Sequence, residues 1–314
     1  MGLTPKELRK LLVNNTDVVE QKMCAKDWDS IDFSKLPGRA LSMYNGTFNT
    51  KEETKSRYMD YLKAVQESKV KMNVSNTVNA HEAFFKDDDF AQAAFVTMKE
   101  SLAKSNKKIL VISDTSGSME GTPLEVSISL SILFGSLLTG DFHNCCIPFS
   151  STPRFISWND DDHISDIKKL VETEDVALNT NFQAVFDLIL GTAISKSIPK
   201  NDMPEYLLVV SDMQFDQSFS ADGEYYGERV SIDNIELIRR KYKDAGYDMP
   251  QMIYWNVAEK NYKNSPITKD DRGIMVSGFS QNIWKSIVET DNLESFNPYN
   301  FMMQTLMSER YDLL

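Results

Sequence analysis

The stretch of sequence that decides the fold is Lys108-Ile-Leu-Val-Ile-Ser-Asp114, in which a charged residue precedes a short apolar run that ends in Ser-Asp. The same form returns in Glu205-Tyr-Leu-Leu-Val-Val-Ser-Asp212, and further apolar runs occupy residues 252–257 and 274–277. Continuous apolar runs of this length are typical of parallel strands that are buried on both faces of a sheet. The second part of the chain is therefore predicted to contain a mostly parallel sheet.

Helical patterns lie between these runs, over residues 124–138, 163–172, 181–195, 230–245 and 281–289. Strands that alternate with helices imply a doubly wound sheet with right-handed crossovers. Residues 145–149 and 154–158, separated by Ser-Ser-Thr-Pro, predict a hairpin at one edge of this sheet. The predicted fold class is α/β, with a doubly wound, mostly parallel sheet.

The first part of the chain, residues 1–105, shows no strand pattern and is predicted to be a small helical region that packs on an α/β domain of residues 106–314. Three leucines recur at helical spacing after Pro5, a residue that suits the first turn of a helix. Further helices are predicted over residues 36–44, 51–69 and 87–103. Gly46 is expected to end the helix of residues 36–44, and residues 296–303 predict a helical tail on the α/β domain.

The composition disfavours several classes of function. The 314 residues carry a formal net charge of −12, whereas broad binding to nucleic acid or anionic membranes needs clustered Lys and Arg. No apolar run approaches the roughly 20 residues of a membrane span, and the N-terminus lacks the apolar core of a signal peptide. Cys24, Cys145 and Cys146 have no spacing that suits zinc, so we expect reduced, mostly buried thiols in a cytoplasmic, intracellular protein.

The residues after the first buried run have the chemistry of a metal site. Asp114-Thr-Ser-Gly-Ser118 places one carboxylate and two hydroxyls at positions i, i+2 and i+4 of a tight turn. Such hard oxygen donors with little charge suit Mg²⁺ or Mn²⁺, held octahedrally with several retained waters. The alternative is that the aspartate and the serines cap the helix that follows.

Two further segments offer oxygen donors to the same place. Thr180, in Asn179-Thr-Asn181, precedes a predicted helix and offers a hydroxyl from another loop, with a helix N-cap as its alternative role. Asp212 ends the second buried run, where a carboxylate bonded to backbone N–H groups is the alternative. Because ligands of such sheets bind beyond the carboxyl ends of the strands, Asp114 and Asp212 meet at one edge if their strands are neighbours.

These loop residues resemble a known kind of metal site. Asp-x-Ser-x-Ser after the first strand, a Thr before a later helix and an Asp after the fourth strand resemble the metal-ion-dependent adhesion site of von Willebrand factor A-type domains. The resemblance covers roughly residues 106–290 and implies a von Willebrand A, Rossmann-like fold with a Mg²⁺ or Mn²⁺ ion. The ligands that it implies are Asp114, Ser116, Ser118, Thr180 and Asp212. The second loop departs from the frequent Gly-Thr-Asp pattern, because an asparagine follows Thr180, but the direct ligand set is kept.

The amino-terminal half extends the resemblance to a family of viral, bacterial and plant proteins that is related to the Ro autoantigen and the TROVE-module proteins. The segments that carry it are Val18-Val-Glu-Gln-Lys-Met23, Trp28-Asp-Ser-Ile-Asp-Phe33, Leu36-Pro-Gly-Arg-Ala-Leu41, Thr180-Asn-Phe-Gln-Ala-Val-Phe186 and Ser211-Asp-Met-Gln-Phe215. In the related proteins, a ring of helical repeats binds small structured RNAs beside an A domain. This chain resembles the carboxyl portion and lacks most of the ring, so structured RNA is the weaker expectation for a partner.

The resemblance implies a metal that is not catalytic and that leaves a coordination position open for an outside anion. We therefore expect a module, and not an enzyme, that binds an Asp or Glu of a protein partner within a ribonucleoprotein, viral or phage assembly. One alternative is metal-assisted phosphoryl transfer. Against it, the three histidines lie in unrelated segments, and Ser116 stands where haloacid-dehalogenase-type phosphatases need a second Asp. The other alternative is a structural assembly protein in which the metal is dispensable.

Overall fold

The computed structural model describes residues 4–16, 18–149, 153–172, 182–212, 232–257, 267–270 and 273–289, and residues 299, 302, 303, 306 and 307. The chain divides into two compact units, Met1–Thr97 and Met98–Leu314. The described α-helices are α1 (Pro5–Asn15), α2 (Val19–Cys24), α3 (Gly38–Thr50), α4 (Glu52–Gln66), α5 (Ala80–Phe84), α6 (Asp88–Ser101), α7 (Thr122–Leu137), α8 (Ile164–Val171), α9 (Phe182–Ser195), α10 (Ile232–Asp244) and α11 (Ile283–Glu289). The described strands are β1 (Ile109–Ser113), β2 (Cys145–Pro148), β3 (Ile156–Ser157), β4 (Tyr206–Ser211), β5 (Gln251–Asn256), β6 (Ile267–Asp270) and β7 (Gly273–Ser277).

The first unit is helical, as the sequence predicts, and has an aromatic core. Phe33, Phe48 and Tyr58 are buried, and the centroids of their rings lie 4.9–5.3 Å apart. The Tyr58 hydroxyl donates a hydrogen bond of 3.0 Å to the side-chain oxygen of Asn45, and the Asn45 amide donates to Asp87. Close aromatic pairs add to the stabilisation from burial, and the bonded hydroxyl avoids the cost of an unpaired buried polar group.

The prediction that Gly46 ends the helix of residues 36–44 is wrong, because that helix, α3, continues through Gly46 to Thr50. Glycine costs a helix interior about 1 kcal/mol relative to alanine, and the burial of the Phe48 side chain on the same helix outweighs that cost, since a fully buried Phe contributes about 1.5–3 kcal/mol. The short helices α2 and α5 are not predicted, since six and five residues show too little of a helical period.

Gly38 and Gly46 are expected to respond in opposite directions to replacement by alanine. A Cβ on Gly38 would lie 2.0 Å from the backbone oxygen of Asn73, whereas a Cβ on Gly46 meets nothing within 4 Å. We expect Gly38→Ala to lower the free energy of unfolding by about 1–3 kcal/mol through overpacking, and Gly46→Ala to raise it by about 0.5–1 kcal/mol. Urea unfolding followed by far-UV circular dichroism measures both changes. A Gly38→Ala variant as stable as Gly46→Ala would contradict the close approach.

The described residues of the second unit form a seven-stranded sheet with the order β3-β2-β1-β4-β5-β7-β6. β2, β1, β4, β5 and β7 run parallel, and β3 and β6 pair antiparallel at the two edges. When the edge strand β6 is left out and β7 is counted as the sixth strand, the order becomes 3-2-1-4-5-6. This is the strand order of doubly wound Rossmann-like folds. The predicted α/β class, the mostly parallel sheet and the antiparallel edge strand β3 are therefore confirmed. The edge strand β6, which reads Ile-Thr-Lys-Asp, is not predicted from the sequence.

Helices cover both faces of this sheet. α7 packs on β1, β2 and β4 and is buried continuously from Val126 to Leu137, a span that contains no charged residue but includes four serines. α9 and α10 share a separate core cluster with the alternate β1 residues Leu110 and Ile112. The chain order reverses between β1 and β4. Their carboxyl ends therefore form the topological switch point, where ligands bind in sheets of this kind.

Several smaller expectations have mixed outcomes. The three cysteines are free, as predicted, but Cys24 is exposed while Cys145 is half-buried and Cys146 is buried. The predicted tail helix over residues 296–303 lies mostly outside the described residues. None of the helices that the structure describes combines the length and the apolar character needed to cross a membrane.

Candidate metal centre

The ends of β1 and β4 bring two aspartates to one edge of the sheet. The strands are parallel neighbours, with Ser113 in register with Val210. Asp114 directly follows β1 and Asp212 directly follows β4, and their exposed fractions are 0% and 6%. Because β1 and β4 are neighbouring strands, the two aspartates lie at the same edge of the sheet, as the sequence predicts for that case.

Asp114 is held by donors from both strand ends. Its Oδ1 accepts a hydrogen bond of 3.0 Å from the backbone N–H of Ser116, and its Oδ2 accepts a hydrogen bond from the Ser211 hydroxyl. Its own backbone N–H donates to the Val210 oxygen at 3.0 Å. The backbone position and the orientation of the carboxylate are both fixed.

The electrostatics of Asp114 favour a cation. Burial raises the pKa of this carboxyl, hydrogen bonds from Ser211 and Ser116 oppose the rise, and the nearby charge of Asp212 adds to it. Among the described residues, none of the groups that act on this pKa is positively charged. A carboxylate removed from water without a positive partner is unfavourable, so a bound cation would supply the missing compensation.

The hydroxyls of the first loop turn towards each other. The Oγ atoms of Ser116 and Ser118 lie 3.1 Å apart and share a hydrogen bond. Thr115, between Asp114 and Ser116, points elsewhere, and its hydroxyl donates to the backbone oxygen of Phe149 at 2.8 Å. Ser116 is buried and Ser118 is exposed, so the turn runs from the buried edge of the sheet out to solvent.

The alternative that these side chains cap the next helix does not hold. α7 begins at Thr122, and its N-cap residue is Gly121, so none of the described side chains of the first loop occupies the capping position. Gly121 makes this entry with a φ of +91°, a conformation that favours glycine. The 3-10 turn Gly117–Met119 also lacks a side-chain cap from Ser116. The polar groups of the first loop therefore bond to one another and to the end of β4 and do not cap α7.

The donor set fits a hard divalent cation. Asp114, Ser116, Ser118 and Asp212 offer carboxylate and hydroxyl oxygens, the ligands that suit Mg²⁺ and Mn²⁺. The described residues contain no group of three or more His, Cys, Asp or Glu arranged to hold a metal, so hydroxyls have to complete any site here. Thr180, the hydroxyl expected from the second loop, lies outside the described residues, and its role stays a prediction.

Two residues that the sequence analysis does not assign to the site tie its loops together. Ser211 donates to Asp114, as described above, and the backbone N–H of Asp212 donates to the sulfur of Met119 at 3.2 Å. Met119 is completely buried. The repeated Ser-Asp at the ends of both apolar runs is a sequence signal for Ser211, whereas no pattern points to Met119.

Two family models match this chain. A family model described as "Domain of unknown function (DUF7788)" matches residues 108–309, well over half of the chain. The chain belongs to the DUF7788 family. The DUF7788 match contains both strand ends that carry the candidate site and extends through β7 and α11. A second model, described as "Domain of unknown function (DUF2828)", matches residues 4–110 and thus the helical part.

This DUF7788 chain is similar to "Uncharacterized protein L728" of Acanthamoeba polyphaga mimivirus, with 30% identity over 331 residues. The match covers 98% of this chain and 55% of the viral protein, so the chain spans about half the length of the curated relative.

Two solved structures are similar at low identity. The Ro (RSR) protein of Deinococcus radiodurans is 14% identical with a TM-score of 0.39, and the match covers 60% of this chain and 34% of that chain. Proximal thread matrix protein 1 from the mussel byssus is 13% identical with a TM-score of 0.36, and the match covers 60% and 47%. Since these scores are low, the fold assignment rests on the strand order of the sheet.

Proposed function

We propose that the chain is a metal-dependent protein-interaction module that holds Mg²⁺ or Mn²⁺ through Asp114, Ser116, Ser118, Asp212 and Thr180. The observation that carries the proposal is the buried Asp114 carboxylate at the switch point, which has hydroxyls and a second carboxylate beside it and no positive partner among the described groups that act on its pKa. Three of the five proposed ligands are uncharged hydroxyls, so an ion held there keeps more of its positive charge than in a site built from carboxylates, and it can attract an outside carboxylate.

The exposed end of the first loop supports a docking role. Gly117 and Ser118 are exposed, while Asp114 and Ser116 are buried. An anion that approaches from solvent therefore meets the hydroxyl side of the site first. An Asp or Glu side chain of a partner protein has the charge and the hard oxygen donors that such a site selects.

We further propose that the site is not catalytic. Hydrolysis and phosphoryl transfer draw on a positioned general base. His143 contacts the Leu138 oxygen and Asp160, and His163 accepts from the backbone N–H of Ser165, so both are engaged away from the β1 and β4 ends. The remaining histidine, His81, belongs to the first unit.

The open coordination position predicts a measurable effect on solvent. Mn²⁺ bound to the chain is expected to relax water protons faster than free Mn²⁺, because the bound ion tumbles slowly while a site with few protein ligands still retains exchangeable waters. A short glutamate-containing peptide is expected to displace water and lower the relaxation rate, whereas the same peptide with glutamine leaves the rate unchanged. Water-proton relaxation at fixed Mn²⁺ and protein concentration measures this, and Asp114→Asn is the control that removes the site.

Equal effects of the two peptides would contradict the recognition of an acidic group and leave the metal site in place. Phosphate release from a generic phosphoester by the wild-type chain, lost in Asp114→Asn, would replace the docking proposal with an enzymatic one.

A further inference from the structure

The two Ser-Asp dipeptides at the ends of β1 and β4 are alike in sequence and differ in their contacts. Ser113 and Ser211 are both completely buried. The Oγ of Ser113 lies 3.1 Å from the Oγ of Ser127 in α7, and Ser127 donates to the Val210 oxygen at 3.0 Å. Ser211 instead donates to Oδ2 of Asp114. Ser113 therefore bonds the sheet to α7, whereas Ser211 bonds the end of β4 to the carboxylate that follows β1.

The bond from Ser211 decides how freely the Asp114 carboxylate turns. The terminal torsion of an aspartate has broad, roughly two-fold preferences and is not fixed by the side chain itself. The Ser116 N–H restrains Oδ1 from within the loop, and the Ser211 hydroxyl restrains Oδ2 from β4. The Ser116 side chain hydrogen-bonds to the same carboxylate as well. A carboxylate has about four lone-pair sites, so these three donors still leave room for a cation.

A second hydrogen bond joins the end of β4 to the first loop, and in this one the donor lies at Asp212. Asp212 follows Ser211, and its backbone N–H donates to the buried sulfur of Met119, which follows Ser118. β4 thus holds the first aspartate through Ser211, and the first loop holds the second aspartate through Met119.

We infer that Ser211 is a positioning residue of the candidate metal centre, which acts by fixing the Asp114 carboxylate towards the Ser116, Ser118 and Asp212 oxygens. The inference rests on the proposed metal-binding function. Removal of a group that hydrogen-bonds to a metal ligand typically weakens metal affinity by about 10–100-fold.

The test compares Ser211→Ala with Ser113→Ala in the full chain. Both variants remove a fully buried hydroxyl from a Ser-Asp strand end, so both are expected to lower thermal stability by similar amounts. Ser211→Ala is expected to weaken Mn²⁺ binding by about 10–100-fold in a calorimetric titration, while Ser113→Ala binds like the wild type. Thermal unfolding of the chelator-stripped proteins measures the loss of stability separately.

A second pair of variants holds the side-chain shape constant. Ser211→Thr keeps the hydroxyl and Ser211→Val replaces it with a methyl group, and both are β-branched residues that suit a strand. Ser211→Thr is expected to bind Mn²⁺ more tightly than Ser211→Val. This pair decides the question if Ser211→Ala does not fold.

Three outcomes would overturn the positioning role. Equal losses of affinity in Ser211→Ala and Ser113→Ala would show general destabilisation. Wild-type affinity in Ser211→Ala, beside saturable binding by the wild type, would remove the role of Ser211 and leave the proposed function standing. Absence of Mn²⁺ binding by the wild-type chain would remove both.

Discussion

Replacement of Asp114 by alanine is expected to abolish Mn²⁺ binding and to leave the α/β fold intact. Loss of a direct ligand should weaken binding by more than about 100-fold, since even the partners of ligands are worth 10–100-fold. The fold should survive because Asp114 lies beyond β1, whose own five residues are all buried in the sheet. The change leaves the Ser116 N–H without its acceptor, at about 1–3 kcal/mol for a buried unpaired group.

The matched variant Asp114→Asn separates charge from packing. Burial raises the pKa of the Asp114 carboxyl, so its ionised form lowers the stability of the metal-free fold above the ordinary pKa of an aspartate. Asp114→Asn is therefore expected to unfold at the same temperature as the metal-free wild type or higher. It should gain no stability from Mn²⁺, whereas the wild type gains about 2.7 kcal/mol at 100 times the Kd.

Calorimetry measures the binding of both variants, and far-UV circular dichroism measures their folding. Loss of native circular dichroism in Asp114→Asn as well as in Asp114→Ala would indicate that the aspartate has a structural role, contrary to a site that mainly serves binding.

Phe134→Ala is expected to have the largest effect on stability, because it removes the centre of an aromatic stack. The Phe134 ring in α7 lies 4.6 Å from the Trp284 ring at an angle of 10°, and 5.0 Å from the Trp255 ring. All three side chains are completely buried. Truncation of such a residue lowers the free energy of unfolding by about 3–5 kcal/mol, a large share of the 5–15 kcal/mol typical of a domain.

Phe155→Ala is the control, since the Phe155 side chain is 38% exposed and its truncation removes less buried apolar area, so a smaller loss of stability than in Phe134→Ala is expected. Urea unfolding of the two variants beside the wild type measures the difference. A loss of less than about 1 kcal/mol in Phe134→Ala would contradict the packed stack.

The central strands could be predicted because a strand buried on both faces has a continuous run of apolar residues. β1 and β4 read as uninterrupted apolar runs, and the structure buries nearly every residue in both. β6 has no continuous apolar run, since its four residues include a lysine and an aspartate. Its position in the sheet is set by pairing with β7. Short edge strands depend on tertiary pairing more than on their own composition.

The candidate site was predictable from its first loop and less so from its surroundings. Asp114, Ser116 and Ser118 stand out because three oxygen donors at alternate positions after a buried strand are unusual. Asp114 and Asp212 are adjacent because β1 pairs with β4, and the residue pattern within a single strand does not predict which strands pair. The different roles of Ser113 and Ser211 depend on the same pairing, because identical Ser-Asp dipeptides face different neighbours.

The most direct test of a metal site at the switch point is a calorimetric titration of the chelator-stripped wild-type chain with Mn²⁺, followed by competition with Mg²⁺. One saturable site per chain, displaced by Mg²⁺ and absent from Asp114→Asn, is the predicted result. The absence of saturable binding, or binding that Asp114→Asn retains, would contradict it. The first loop would then be a structural turn, and a structural assembly role would be favoured over metal-dependent docking.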